Sequence, residues 1–166
     1  MTEVFIGLGA SLPSRYGLPR ETLEAAVARL AKSGLILIAR SRWYESAPVP
    51  ISDQPWFVNG VISAHTSEDV RSVLDTLHEI EEEFGRVRRE RWEARVLDLD
   101  LVAYGQVAFD EGGETGAKVP HPRMHERRFV LEPLREIAPD WRHPVLGQTT
   151  SELLETLQRD EILRPL

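Results

Sequence analysis

The chain contains no cysteine, so disulfides and thiolate metal sites are excluded. That fits a reducing compartment, and the cytoplasm is the expected location. Lysine is nearly absent: Lys32 and Lys118 are the only two, so positive charge is carried almost wholly by arginine. Positive charge is itself in deficit, with a formal net charge of -7 and a pI of about 5.3. A general nucleic-acid binder is usually basic, so no nucleic-acid partner is expected. No apolar run approaches membrane-spanning length, and MTEVFIGLGASL lacks the basic region of a signal peptide, so no membrane partner is expected either. GLGAS is too short for a phosphate-cradling loop and lacks the lysine of a Walker A motif.

What is present is ordinary for a globular chain: 166 residues, 42% hydrophobic and 28% charged. One domain spanning residues 1–166 is expected. The informative stretch is GRVRRERWEARVLDLDLVAYG, from Gly85 to Gly105. Its first half sets Arg86, Arg88, Arg89, Arg91 and Arg95 around Trp92. Its second half alternates as a strand does, so Leu97, Leu99 and Leu101 share one face while Asp98 and Asp100 share the other. Two carboxylates a few Å apart repel unless a cation or proton intervenes. Mg2+ suits them, because it takes oxygen ligands and leaves places for phosphate oxygens. Arginine forks suit phosphate. An Asp-x-Asp pair alone is most often the solvated face of an edge strand, and an arginine run alone is usually surface. Their adjacency points to phosphoryl chemistry on a Mg-nucleotide.

The rest of the chain predicts the frame. Strands are expected at Glu3–Gly9, Leu35–Tyr44, Trp56–His65 and over the LDLDLVAY run to Tyr104. Helices are expected at Pro19–Ser33 and Ser67–Phe84, the second capped by Ser67. Glu81 sits at the edge of the second helix's apolar stripe, where a surface charge is the plainer reading. Glu45–Pro55 reads as a loop, and Asn59 inside the third strand needs partners for its amide. Gly105–Phe109 is expected to turn back as a short hairpin strand. A helix starting near Arg123 follows, and a last one at Thr150–Leu157. The order is β-α-β-β-α-β with an added hairpin and C-terminal helices: an α+β, ferredoxin-like antiparallel sheet with helices on one face.

Three separated motifs carry a resemblance. WYESAPV with DQPWFVN, then GRVR with RW, R and LDLDL, then VPHPRM with ERRFVL, PL, EIAP, W and HP occur in order across almost the whole chain. The chain resembles the 6-hydroxymethyl-7,8-dihydropterin pyrophosphokinases of folate biosynthesis. The resemblance implies that the pterin hydroxymethyl oxygen attacks the β-phosphorus of ATP and that AMP leaves. It implies two Mg2+ on Asp98 and Asp100, with Arg86 and Arg95 acting on the phosphates during transfer. It puts Arg88, His121, Arg127, Glu81, His78 and Leu101 at ATP, with His121 sharing in neutralising the transferring group. It puts Phe57 and Phe129 on the two faces of the pterin ring, Asn59 at its edge, Ser46, Ala47 and Val49 along the slot, and Trp92 closing over it. The family expectation is a monomer acting on small molecules.

The chain departs from the family pattern in places. Ser11 stands for an asparagine, Phe57 for a frequent tyrosine, and Ala47 for a frequent proline, which should loosen its loop. Two rival readings use the same residues. A nucleotidyltransferase would attack the α-phosphorus and release pyrophosphate. A non-catalytic module would use the arginine loop for RNA.

Overall fold

The structure, a computed structural model, describes residues 1–48, 53, 55–85, 96–113, 116–157 and 162–166. Eight strands form there: β1 Thr2–Ala10, β2 Ile36–Arg40, β3 Tyr44–Ser46, β4 Phe57–Thr66, β5 Asp98–Tyr104, β6 Phe109–Asp110, β7 Lys118–Val119 and β8 Leu163–Pro165. The helices are α1 Pro19–Leu30, α2 Val70–Glu83, α3 Arg128–Ile137 and α4 Thr150–Thr156, with a 3-10 turn at Met124–Glu126. The fold is α+β, with a main sheet in the order β5-β1-β4-β3-β8 and β2 also paired to β4. All its pairings are antiparallel.

β1 lies inside the sheet and is buried from Val4 to Ala10, which explains its near-continuous apolar run. Side chains alternate between the two sheet faces. Val4, Ile6 and Leu8 point to one face, where Leu23 and Leu30 of α1 and Leu77 and Ile80 of α2 complete a core. Phe5, Val61 and Val102 point to the other, where Leu131 and Leu134 of α3 and Leu153 and Leu154 of α4 complete a second core. Helices therefore cover both faces, not one as the sequence suggested. The C-terminal helices carry enough apolar surface to cover the far side.

Local chemistry explains where other elements depart from expectation. The strand expected at Leu35–Tyr44 is broken in two, because Ser41 and Trp43 turn inward. Val61 N–H donates to Ser41 Oγ at 3.0 Å, a side chain taking the place of a ladder carbonyl. The Trp43 ring fills the space over Gly60, where a Cβ would lie 2.5 Å from it. α2 is capped by Asp69, not Ser67, with Ser72 N–H donating to the Asp69 carboxylate at 2.8 Å. The short strand near Phe109 does form, but β6 pairs with β7 and not back onto β5. The helix expected from Arg123 begins at Arg128, because Arg127 is extended (φ -111, ψ 104) and separates it from the 3-10 turn. β8, pairing with β3, had no counterpart in the sequence reading.

Candidate functional site

The site is built on the part of the second face that α3 and α4 leave open. Leu97, Leu99 and Leu101 are buried at 0%, 4% and 3% exposure on the α1–α2 side. Asp98 and Asp100 are half-buried and share the opposite face with Val102. In register, Gly9 lies opposite Asp98 on one side and Asn59 on the other, and Gly7 lies opposite Asp100. Positions 5, 7 and 9 alternate onto this face, so at Gly7 and Gly9 the strand between the aspartates and Asn59 presents a floor without side chains. Gly9 leaves room for the amide: a Cβ there would sit 2.7 Å from Asn59 Oδ1 and force that side chain to shift. The sequence places Gly9 at the end of the first strand, where a turn begins, and by itself gives it no part in the site. The signal that could have found it is its period-two spacing from Phe5.

Arg127 is the junction of the site. Its guanidinium Nη1 lies 3.9 Å from Asp100 Oδ2, an ion-pair distance. The same guanidinium stands 5.5 Å from the Phe129 ring centroid, in cation–π range. His121 is close by, held by its N–H donating to Val102 O at 2.8 Å along the free edge of β5. Arg123 N–H donates to His121 Nδ1 at 3.1 Å, so the neutral ring carries its proton on Nε2. Burial, then the charges of Arg127 and Arg123, lower the His121 pKa to about 4. In the free protein this imidazole is a neutral donor near pH 7. It gains a proton only if a bound anion outweighs both effects.

Glu81 corrects the reading of a surface carboxylate. It is 1% exposed, and its Oε2 accepts from Leu99 N–H at 2.9 Å. It thus grips β5 from beneath, at the residue between the two aspartates. His78, on the same helix, is exposed. The Leu101 side chain belongs to the core on the far face and does not join the aspartates.

On the other side of Gly9, Asn59 is 8% exposed and its Nδ2 makes a long hydrogen bond to Ser46 Oγ, 3.5 Å. Phe57 is 38% exposed, two residues along the same face, and pairs in register with Ser46. Ala47 N–H donates to Ile162 O at 3.2 Å, a bond no proline could make. The loosening expected at Ala47 is therefore opposed by a tie to the segment leading into β8. Ser11 Oγ is buried without a hydrogen-bond partner among the described residues. Val49, Arg86, Arg88, Trp92 and Arg95 lie outside the described residues, as do Arg89 and Arg91.

Hard oxygen donors such as Asp98 and Asp100 fit Mg2+. No group of three or more metal-ligating side chains occurs among the described residues. Mg2+ requires none, since it binds through one or two carboxylates and fills its shell with phosphate oxygens and water.

Comparison with known proteins gives the family. Residues 5–139 match the family described as 7,8-dihydro-6-hydroxymethylpterin-pyrophosphokinase (HPPK). A 2-amino-4-hydroxy-6-hydroxymethyldihydropteridine pyrophosphokinase of Pseudomonas aeruginosa is 42% identical over 92% of this chain and 90% of its own length. The Haemophilus influenzae protein of the same name is 40% identical over 99% of this chain and 98% of its own. The crystal structure of Plasmodium falciparum HPPK-DHPS wild type has a TM-score of 0.74 over 93% of this chain. At 13% identity it shows the fold alone, and this chain spans 44% of that one. With a match over most of its residues and relatives this similar along nearly their whole length, the chain belongs to the 7,8-dihydro-6-hydroxymethylpterin-pyrophosphokinase family.

Proposed function

We propose that this chain transfers pyrophosphate from ATP to the hydroxymethyl group of 6-hydroxymethyl-7,8-dihydropterin, releasing AMP, in tetrahydrofolate biosynthesis. Its curated relatives are named pyrophosphokinases, so it is read as a diphosphotransferase. The observation that carries the reading is Arg127, whose one guanidinium faces Asp100 and Phe129. A carboxylate suited to metal, a cation suited to phosphate and an aromatic suited to a flat ring meet within one side chain's reach. The strand order, with β1 and β2 on either side of β4, supports the ferredoxin-like reading. Residues 1–166 are read as one pyrophosphokinase domain, acting as a monomer in the cytoplasm. Among the described residues, no helix is long and apolar enough to cross a membrane.

Asp98 and Asp100 would hold Mg2+, two ions in this reading. When bound, the metal neutralises phosphate charge and polarises the attacked phosphorus. The chain's own residues do the positioning, which is most of what phosphoryl transfer requires. Glu81 holds the backbone between the aspartates, so their spacing is set from the core side. Arg127 donates to phosphate oxygens, exchanging part of its attraction to Asp100 for one to the substrate. His121 offers Nε2–H to the same phosphates. Asn59 reads the pterin edge with one donor and one acceptor over the bare Gly9 floor, and Phe57 and Phe129 stack on the ring. Arg86, Arg88, Arg95 and Trp92 complete the phosphate side and the closure in this reading. Leu101 could meet the adenine only through its backbone.

The test is a product assay with ATP, Mg2+ and the pterin. Pterin-dependent AMP and a pterin diphosphate, both lost in EDTA, are expected. Pyrophosphate release instead would turn the reading to a nucleotidyltransferase. Asp98→Ala and Asp100→Ala should each abolish transfer while leaving the fold intact, and near-normal turnover of either would remove the metal assignment.

A further inference from the structure

We propose that Arg164, on β8, is a positioning residue for the pterin slot, acting through Glu45 and Trp56. The inference rests on the proposed pterin site. Arg164 lies opposite Glu45 in the β3–β8 ladder, and its Nε donates to Glu45 Oε1 at 2.5 Å. Its guanidinium carbon also stands 4.6 Å from the Trp56 ring centroid. Glu45 immediately precedes Ser46, and Trp56 immediately precedes Phe57. Ser46 and Phe57 face each other in the β3–β4 register. One side chain, 119 residues from Glu45 in sequence, thus touches the neighbour of each member of that pair.

β3 has three residues, so its pairing with β4 supplies few ladder bonds. β8 doubles the support. Ala47 N–H donates to Ile162 O at 3.2 Å, and Leu166 N–H donates to Trp43 O at 2.9 Å, tying both ends of β3. Within this frame the Arg164 side chain contacts both Glu45 and Trp56. Its side chain is 61% exposed and that of Glu45 28% exposed. Ion pairs so placed add little to global stability. Their removal should leave the fold intact and loosen the local spacing of Ser46 against Phe57. Loss of the ion pair and the cation–π contact together should weaken pterin binding roughly three- to tenfold. The ATP side, built on β5 and the 121–129 segment, makes no contact with Arg164 among the described interactions.

The experiment compares the wild type with Arg164→Ala and Arg164→Lys. It measures KM for each substrate, kcat, and amide hydrogen exchange at residues 44–47 and 56–57. The expected result is a raised pterin KM in Arg164→Ala, with kcat and ATP KM unchanged and partial recovery in Arg164→Lys. An active wild type with an unchanged pterin KM in Arg164→Ala would overturn the role of Arg164 alone. A lower kcat, a raised ATP KM and a lower melting temperature together would also overturn it, because they mark a merely structural residue. A wild type without pterin-dependent turnover would remove the proposed function. Hydrogen exchange then decides the remainder: faster exchange at both segments in Arg164→Ala keeps Arg164 as their clamp, and unchanged exchange removes it.

Discussion

Gly9 and Asn59 form a pair in which the small residue makes room for the functional one. A methyl at Gly9 would meet Asn59 Oδ1 at 2.7 Å, so the amide must turn away from the floor. Gly9→Ala should raise the pterin KM by roughly tenfold or more, since an amide displaced from a hydrogen-bonding edge loses its contacts. Equal pterin KM values in the two proteins would remove the floor from the argument. His121 allows a second check at this scale. Its pKa is lowered from 6.5 to about 4, so the folded protein keeps it neutral where the unfolded chain protonates it. Between those values the unfolded state binds the extra proton, and stability rises with pH. The contribution is complete above the unfolded value and is lost as pH falls toward about 4, on the order of 2 kcal/mol after allowing for partial exposure. Urea unfolding of the ligand-free protein at pH 4.5 and 7 should show a smaller difference for His121→Gln than for the wild type. Identical differences would mean that His121 is not buried as described.

At the scale of elements, the site depends on where helices begin and what they press against. The extended Arg127 delays α3 to Arg128, and that interruption is what turns its guanidinium toward Asp100. Apolar spacing alone gave no sign of it, because Met124 and Phe129–Leu134 fit one helical stripe. α2 presses Glu81 under β5. Truncating it to alanine leaves Leu99 N–H buried without that partner, at about 1–3 kcal/mol. Chemical denaturation of Glu81→Ala should show that loss, and Glu81→Gln, which keeps an acceptor, should recover part of it. α4 is short but begins with a reciprocal cap. Glu152 N–H donates to Thr149 Oγ1 at 3.2 Å, and Thr149 N–H donates to Glu152 Oε1 at 3.1 Å. Thr149→Ala should cost about 1 kcal/mol and lower the melting temperature by roughly 2–4 °C. An unchanged melting temperature would show that packing of Leu153 and Leu154 alone holds the helix.

At the scale of the whole molecule, two cores on opposite sheet faces have different duties. Leu30 lies in the α1–α2 core, and Leu131 is a buried residue by which α3, the helix that follows Arg127 and contains Phe129, packs into the second core. Leu30→Ala and Leu131→Ala should each cost about 2–5 kcal/mol. Only the Leu131 variant should also raise KM for ATP and pterin, because it lets α3 shift over the site. Matching kinetic effects of the two would show that the faces are not independent. The sequence by itself determined the alternation that puts Asp98 and Asp100 opposite three leucines, the strand–helix order, and the residue types at the site. Those are local, set by the two-residue period of a strand and the chemistry of each side chain. Only the tertiary structure decided that helices cover both faces, that Glu81 is buried beneath β5, and that β8 clamps β3. It also decided that Arg127 stands between a carboxylate and an aromatic ring. These are contacts between residues far apart in the chain, made by packing and pairing that no local pattern encodes.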